Sequence, residues 1–471
     1  MLFYKKQEAK MIKLIKNELF KVFHKKSTYI VLVICLAFIS LITFINRYVE
    51  IDNTIEYARE AVDYKKLIDN FNEKNESLED LVYYETMNEL DNLYKTYNQD
   101  TWQYYYINAN MFNCLDNYYR SKYIEKDEEA ITKYNLTIKN LKENNWQYFV
   151  NQDIDSVKAE IVSLKEDLKA ENLSKENKKN YEQNLFALET KLETLEYRIN
   201  NNLSYGNDYL NQAIETLNTT ASNYDKDSIG DYEKAKYILD TKEDIENQAN
   251  LYSMIKTFFG NYYFLIILFI VMISGSIVSD EFNKGTIKTL LVSPYKRSSI
   301  LLSKFITCLI LILFIIISLF VFQVVLGGVL FGFDSLSIHA VEYNATMSKL
   351  EVMNIFKYWS LNFLAELPLI ILLSTLAFAL STILCSTAFS IAISLCGVIG
   401  SQIINLFAVN YKIKILNYFV TTNWEFTYYL FGGRNPFGNS LTHAIVVCLV
   451  YFFVMIITSF IIFNRKNVKN I

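Results

Sequence analysis

Residues 300–330 read ILLSKFITCLILILFIIISLFVFQVVLGGVL, and their composition decides the class of fold. Lys304 is the only charged residue among them. A helix of about 20 apolar residues crosses the roughly 30 Å hydrocarbon core of a bilayer, whereas runs of about 10 to 14 are typical of soluble core helices. The stretch therefore predicts a membrane-spanning helix, and its excess length predicts that its ends tilt, break or lie in the interface.

Five further apolar runs repeat this pattern along the chain. They cover residues 28–45, 262–279, 359–383, 389–408 and 441–463. Basic residues precede the first run, as in a signal peptide, but the sequence FINR at 44–47 offers no small-residue cleavage site, so we expect the run to be retained. Together the six runs predict an all-α membrane protein with about six transmembrane helices.

Charge is divided unevenly along the chain. Residues 46–257 contain 41 acidic and 25 basic residues, and the remainder contains 9 acidic and 21 basic residues. Basic clusters precede the first run and follow the second and the last: Lys5, Lys6, Lys10, Lys13, Lys16, Lys21, Lys25 and Lys26; Lys284, Lys288, Lys296 and Arg297; Arg465, Lys466 and Lys469. Because basic segments stay inside, the pattern predicts a cell-membrane protein with both termini in the cytoplasm.

This topology assigns each segment between the runs to one side of the membrane. On the cytoplasmic side we expect the basic N-terminal segment 1–27, a loop at 280–299 and a tail at 464–471. On the outer side we expect a large domain at 46–257 and loops at 331–356 and 409–440. The acidity of the large domain does not oppose this placement, since long domains cross regardless of charge.

The predicted outer domain has the pattern of packed helices. Two coiled-coil seams are present, formed by Val157, Ile161, Leu164 and Leu168 and by Leu185, Leu188, Leu192, Leu195 and Ile199. Both seams are short, so they predict an antiparallel helical hairpin, with Ser174 as the N-cap of its second helix. The domain contains no proline and only one cysteine, Cys114, so helix packing rather than an internal disulfide must stabilise it.

Two roles for this domain are compatible with the sequence, a spacer and a cap that contacts substrate or a partner. Its aromatic residues leave a similar choice between helix-packing core and a surface that stacks on carbohydrate or peptide. The residues concerned are Trp102, Tyr104, Tyr105, Tyr106 and Trp146.

The loop after the second run carries the most informative motif. Residues 279–297 read SDEFNKGTIKTLLVSPYKR. Gly285 supplies a turn out of the second run, Thr286 can cap a short helix, and Pro294 ends it. Ile287, Leu290 and Leu291 form its apolar stripe. The motif predicts an amphipathic cytoplasmic helix that transmits force from a soluble partner into both adjoining spans.

This segment resembles the ABC-2 family of ATP-binding-cassette transporter permeases. The matching residues are Glu281, Gly285, Thr286, Leu290, Leu291, Pro294, Arg297 and Lys304. The resemblance implies that 280–299 is the coupling element on which a separate ATPase subunit docks, and that a second permease copy or homologue completes the pathway. The six-run layout and residues 368–394 extend the resemblance more loosely, and the large outer domain is similar to that of long permeases.

Catalysis within the chain is not expected. The chain lacks even one Gly-Lys dipeptide, which a Walker A phosphate loop requires, so ATP hydrolysis must come from another polypeptide. His24, His339 and His443 lack metal-ligand spacing. We expect no enzyme activity, no cofactor and no nucleic-acid partner, and we expect the lipid bilayer as the surroundings.

A second candidate site lies in the fourth run, at Glu366 and Pro368. A carboxylate inside a span costs about 2.5 to 3.5 kcal/mol on insertion scales, so it usually faces protein or a water-filled cavity. Glu366 is therefore either part of a translocation path, beside a bend at Pro368, or a hydrated residue near the outer surface.

These sequence patterns are compatible with two functions. The first is the permease subunit of an ABC exporter, whose cargo the sequence leaves open. The alternative is a membrane sensor or cell-envelope scaffold with an external ligand-binding domain.

Overall fold

A computed structural model of the chain describes residues 2–48, 63–71, 77–169, 174–225, 228–246, 249–288, 295–411 and 413–466. In chain order the helices are α1 (Leu2–Phe23), α2 (Lys26–Tyr48), α3 (Tyr64–Asp69), α4 (Leu78–Thr96), α5 (Trp102–Tyr106), α6 (Phe112–Arg120), α7 (Glu128–Lys142), α8 (Trp146–Asp167), α9 (Lys175–Asn200), α10 (Tyr209–Ser222), α11 (Ile229–Thr241), α12 (Leu251–Lys256), α13 (Phe258–Ser276), α14 (Ser279–Asn283), α15 (Arg297–Phe331), α16 (Ile355–Leu384), α17 (Thr387–Tyr411) and α18 (Leu441–Arg465). The chain divides into two compact units, residues 1–50 with 245–471, and residues 51–244.

Six helices among the described residues are long and apolar enough to cross a membrane. They are the Thr28–Tyr48 part of α2 together with α13, α15, α16, α17 and α18. All six predicted runs coincide with these helices, and the prediction of a helical membrane protein is confirmed at this level. The second run ends earlier than predicted, because α13 stops at Ser276 and the chain then enters α14.

Burial separates these six helices into two sets. In α13, α15 and α16, 50 to 61% of the most apolar window is buried, against 17 to 22% in α2, α17 and α18. The first three therefore form the centre of this unit, around buried residues such as Phe258, Ile270, Leu319 and Leu373. Gln323 of α15 satisfies its amide there by accepting from the Tyr262 hydroxyl at 2.6 Å, as a buried polar group must.

Two elements of the same unit were not predicted. The basic N-terminal segment is a helix, α1, and the loop expected at 331–356 contains an antiparallel hairpin of β1 (His339–Asn344) and β2 (Lys349–Asn354). Ala340 and Val341 of β1 are consecutive and both buried, so each face of the strand is covered at this point. The turn is fixed by Thr346, which donates to the Gly432 carbonyl at 2.8 Å. The hairpin is a small exception within a chain that remains consistent with an all-α membrane protein.

The unit formed by residues 51–244 consists of α3 to α11 among its described residues. Helices α8 and α9 pack through the predicted seam residues, including Val157, Ile161 and Leu195. The ion pairs Lys158–Glu196 and Lys165–Glu189 run in opposite directions along the two helices, so the helices are antiparallel. Ser174 accepts from the Asn177 amide, which confirms it as the N-cap of α9.

Candidate functional site

The loop motif begins with a turn that only glycine adopts easily. Gly285 has φ +68°, in the left-handed region, as expected from its proposed role in the turn. Helix α14 precedes it, and Ile287 after it is fully buried against Leu301 and Phe463. Thr286 donates through Oγ1 to the Glu281 carbonyl at 3.4 Å. Leu290, Leu291 and Pro294 lie outside the described residues.

Glu281 and Lys304 meet in a buried ion pair. Lys304 Nζ lies 2.7 Å from Glu281 Oε1 and 2.7 Å from Glu18 Oε2, and the lysine is completely buried. Its Nζ is also 3.4 Å from the Ile277 carbonyl at the end of α13. A buried ammonium needs close counter-ions, because removal of an ion from water costs several kcal/mol. The motif is thereby tied to α1 as well as to α15.

Lys21 of α1 completes the cluster. Its Nζ lies 2.9 Å from Glu18 Oε1 and 3.0 Å from Glu281 Oε1. Two lysines therefore neutralise two glutamates, which we call the charged cluster: Glu18, Lys21, Glu281 and Lys304. Burial alone would raise the pKa of Glu18, but Lys304 and Lys21 outweigh it and hold that pKa below its ordinary value. The same pairing raises the pKa of Lys21 against the effect of burial.

A second set of contacts joins α14 to the start of α17. Asp280 accepts from the Thr387 hydroxyl at 2.8 Å and pairs with Lys25, which lies between α1 and α2. Thr387 also meets the Ser279 hydroxyl at 2.9 Å and accepts from the Asn283 amide at 3.0 Å. Thr387 therefore contacts three residues of α14. A movement of α14 would displace the start of α17 through these contacts.

The basic residues that follow the loop bind helix ends. Arg297 donates to the carbonyls of Asn464 and Lys466 at 3.2 and 3.0 Å, at the C-terminus of α18. Lys466 in turn donates to the carbonyls of Thr382 and Ile383 at 3.2 and 3.0 Å, near the end of α16. Cations at such positions satisfy free carbonyls and oppose the helix dipole. Arg297 therefore joins the start of α15 to the end of α18, and Lys466 joins the end of α18 to the end of α16.

A cavity of about 460 Å³ lies beside the charged cluster. Its lining includes both polar and apolar residues. The charged ones are Glu18, Lys21, Lys25, Asp280, Glu281 and Lys284, and the apolar ones include Val31, Phe269, Met272 and Ile273. The buried Oε2 of Glu281 has no hydrogen-bond partner among the described residues. The cavity is therefore lined by residues of α1, α2, α13 and α14 and by Lys284 and Thr286 of the motif.

Glu366 and Pro368 are not part of this arrangement. Both lie within α16, half-buried, and the helix continues through Pro368 to Leu384. Glu425, in the loop before α18, is close enough to act electrostatically on Glu366. Burial raises the pKa of Glu425, and a hydrogen bond with Tyr428 opposes that rise. The two carboxylates therefore form a separate acidic pair.

Sequence reasoning did not select Glu18 and Lys21 as site residues. Both residues were expected only to be part of the basic N-terminal segment 1–27. A signal was present, because Glu18 is one of only two acidic residues among eight lysines, and it stands three positions before Lys21 on one helix face. Their partners on α14 and α15 are more than 250 residues away, which is why the spacing alone could not reveal them.

The aromatic residues of the 51–244 unit fall into two groups. Trp146 is buried, and Tyr106 packs on Phe149 with their ring centroids 4.2 Å apart, so both belong to the core. Trp102 and Tyr105 instead line a cavity. Trp146 and Tyr106 are therefore core residues, whereas Trp102 and Tyr105 are available for a binding surface.

The part of the chain that contains the last five apolar helices matches a known protein family. Residues 222–469 match the family described as "Protein of unknown function (DUF2705)", which is more than half of the chain, so the protein belongs to this family. The chain is also 27% identical over 214 residues to "Uncharacterized protein YhcI" of Bacillus subtilis (strain 168), covering 45% of this chain and 67% of that protein. No solved structure matches the chain. The family match includes the loop motif, Lys304 and Thr387, but not α1.

Proposed function

We propose that the chain is the permease subunit of an ABC-2 type ABC transporter, an exporter driven by a separate cytoplasmic ATPase. Two permease subunits, identical or paired with a homologue, would form the pathway across the membrane. The observation that carries the proposal is the buried Glu281–Lys304 pair, because it connects the proposed docking loop to the helix that follows it. The proposal further rests on the resemblance of that loop to coupling elements.

The contacts around the loop suit the transmission of force. Glu281 reaches α1 and α15 through the charged cluster, and Asp280 reaches α17 through Thr387. Arg297 holds the start of α15 to the end of α18. A push on residues 280–299 would therefore act on four helices at once. Three of these helices, α15, α17 and α18, are candidate membrane spans. Force from an ATPase docked at the loop would therefore reach the membrane helices directly.

The sensor or scaffold alternative makes different demands on this loop. A sensor needs no ATPase, and its relay would end on a kinase or regulator. The experiment is affinity purification of the tagged full-length chain from solubilised native membranes, with mass spectrometry of what co-purifies. A polypeptide with a Walker A motif should co-purify in stoichiometric amount. A kinase or regulator in its place would contradict the transporter proposal.

A matched pair of charge variants makes that purification specific. Glu281→Gln removes one charge of the buried cluster, whereas Glu196→Gln removes one charge of an exposed ion pair in the other unit. The first should reduce recovery of the ATPase and the second should leave it unchanged. Equal recovery with both variants, at equal expression, would remove the loop from the docking surface.

A further inference from the structure

A second cavity lies in the unit formed by residues 51–244. Its volume is about 570 Å³. It forms where three connections meet, the turns before α5 and α8 and the loop between α9 and α10. No contact within the charged cluster involves this unit, and none of the proposed transport function is needed to explain the cavity.

One wall of this cavity is an aromatic surface held in a fixed position. The Trp102 indole Nε1 donates to Asn144 Oδ1, and Gln103 Nε2 donates to the same oxygen at 3.2 Å. Asn144 itself has φ +59°, a conformation that asparagine tolerates better than most residues. Behind the indole lies Phe149, with the ring centroids 5.8 Å apart. The ring is therefore ordered before any ligand arrives, which lowers the entropic cost of binding.

The charges along the cavity have one sign. Asp100 and Asp208 line it, and the residues described along its wall include no lysine or arginine. Burial raises the pKa of Tyr105, and the nearby carboxylates of Asp100 and Asp208 raise it further, so both acidic groups act on the same hydroxyl. Asp100 forms no ion pair with a described residue.

Arg198 lies close to the cavity, but its guanidinium group is bound to other residues of the unit. Arg198 lies 4.9 Å from the Tyr205 ring and donates to the Ser204 carbonyl at 3.1 Å and to Asn211 Oδ1. It is buried and does not line the cavity. Asp208 caps α10 by accepting from the Leu210 and Asn211 amides, and this role leaves its negative charge in place.

We propose that this cavity binds a cationic peptide, with a lysine or arginine side chain against Trp102 and Tyr105 and with Asp100 and Asp208 as its counter-ions. A cation over an aromatic face is attracted by the negative potential of the ring. Arg198 acts electrostatically on Asp208 but does not line the cavity. A neutral oligosaccharide could donate hydroxyl hydrogen bonds to the two carboxylates, but it would bring no positive charge to them, whereas a lysine or arginine side chain does. The observations therefore favour the peptide.

The test uses the full-length protein in detergent micelles and fluorescence anisotropy of labelled octapeptides. The peptide probes are (Lys-Gly)₄ and, as the neutral counterpart, (Ser-Gly)₄. Fluorescently labelled chitotetraose is the third probe and represents a saccharide ligand. The parent protein should bind the lysine peptide, with weaker binding at high salt, and should not bind the serine peptide.

Two isosteric variants remove the charges of the cavity. They are Asp100→Asn and Asp208→Asn, and the second keeps a good N-cap for α10 because asparagine caps about as well as aspartate. Each exposed ion pair contributes about 0 to 1 kcal/mol, so the double variant should weaken binding of the lysine peptide by roughly tenfold. The matched control is Asp127→Asn, an N-cap of α7 outside the cavity, which should leave the Kd unchanged.

Three results would overturn the proposal. Equal weakening by Asp127→Asn would mean diffuse attraction to an acidic unit rather than a site. Binding of chitotetraose that Trp102→Leu abolishes, without binding of the lysine peptide, would identify a saccharide cleft. Failure of all three probes to bind would leave the cavity without a ligand of either class.

Discussion

At the residue scale, Lys304 is the centre of the charged cluster. It is completely buried, yet it has two carboxylates at 2.7 Å. Such a pair contributes little net stability compared with apolar residues, but removal of one partner leaves buried charges uncompensated. The lysine is therefore best understood as a device that fixes which helices meet at this point.

Lys304→Met keeps the length and apolar stem of the side chain and removes its charge. Glu18 and Glu281 would remain buried with only the part-exposed Lys21 to neutralise both of them. We therefore expect a loss of about 3 to 5 kcal/mol in the free energy of unfolding. The matched control is Lys158→Met, which breaks an ion pair whose side chains are about half exposed and should cost less than about 1 kcal/mol. Thermal unfolding of both full-length variants in detergent measures the difference. Similar losses would show that the buried pair has no special weight.

Glu18 gives the cluster a defined dependence on pH. Its pKa is lower in the folded protein than the ordinary 4.5, so its contribution to stability is complete above that value and is lost as the pH falls through the lowered folded pKa. The destabilisation by Glu18→Gln should therefore be constant near neutral pH and shrink below 4.5. Thermal midpoints of parent and variant across this range test the sign. A difference that grows on acidification would contradict it.

At the element scale, the six apolar helices were predictable because each run reaches at least the lower end of the roughly 17 to 25 residues that a transmembrane helix needs. The seams of α8 and α9 were readable for a similar reason, since their periodicity is local. Helix α1 and the β1–β2 hairpin were missed, because a basic segment and a loop of mixed polarity carry no strong period. The predicted Gly285 turn was found, whereas the partners of Glu281 come from distant elements and depend on packing that no local pattern encodes.

The contact between α14 and α17 makes a prediction at this scale. Thr387→Val removes the hydroxyl that meets Ser279, Asp280 and Asn283. A hydrogen bond contributes about 1 kcal/mol, so amide hydrogen exchange in residues 279–285 should speed up by roughly fivefold or more. Thr458→Val on α18 is the control, since that hydroxyl bonds only to the Val454 carbonyl of its own helix. Unchanged exchange in α14 would mean that the threonine does not hold it.

At the scale of the whole molecule, charge and hydropathy lead to one topology. Basic segments adjoin the first, second and last apolar helices in sequence, and the acidic 51–244 unit follows the first of them. By the positive-inside rule this order predicts that the basic segments share the cytoplasmic side. The cavities and their lining could not be read from the sequence, because each is formed by side chains from three or more separate elements.

The topology is tested by labelling in intact cells, in a background whose six cysteines are replaced. Glu176→Cys on α9 should react with a membrane-impermeant maleimide, and Lys288→Cys in the loop motif should react only after the membrane is opened. Both positions are exposed, so access depends on the side of the membrane. The reverse pattern would invert the orientation.

We propose that residues 280–299 couple a separate ATPase to the membrane helices. Gly285 and Gly438 offer a matched pair, because both have positive φ, +68° and +73°, and both have open space where a Cβ would lie. Valine at either position strains the backbone by about 1 to 2 kcal/mol, so the two variants share their local cost and differ only in location. The measurement is ATP hydrolysis by the ATPase reconstituted with each permease in liposomes. We expect Gly285→Val to abolish stimulation by the permease and Gly438→Val to retain it, at equal incorporation. Full stimulation of ATP hydrolysis by the Gly285→Val permease would contradict coupling through residues 280–299.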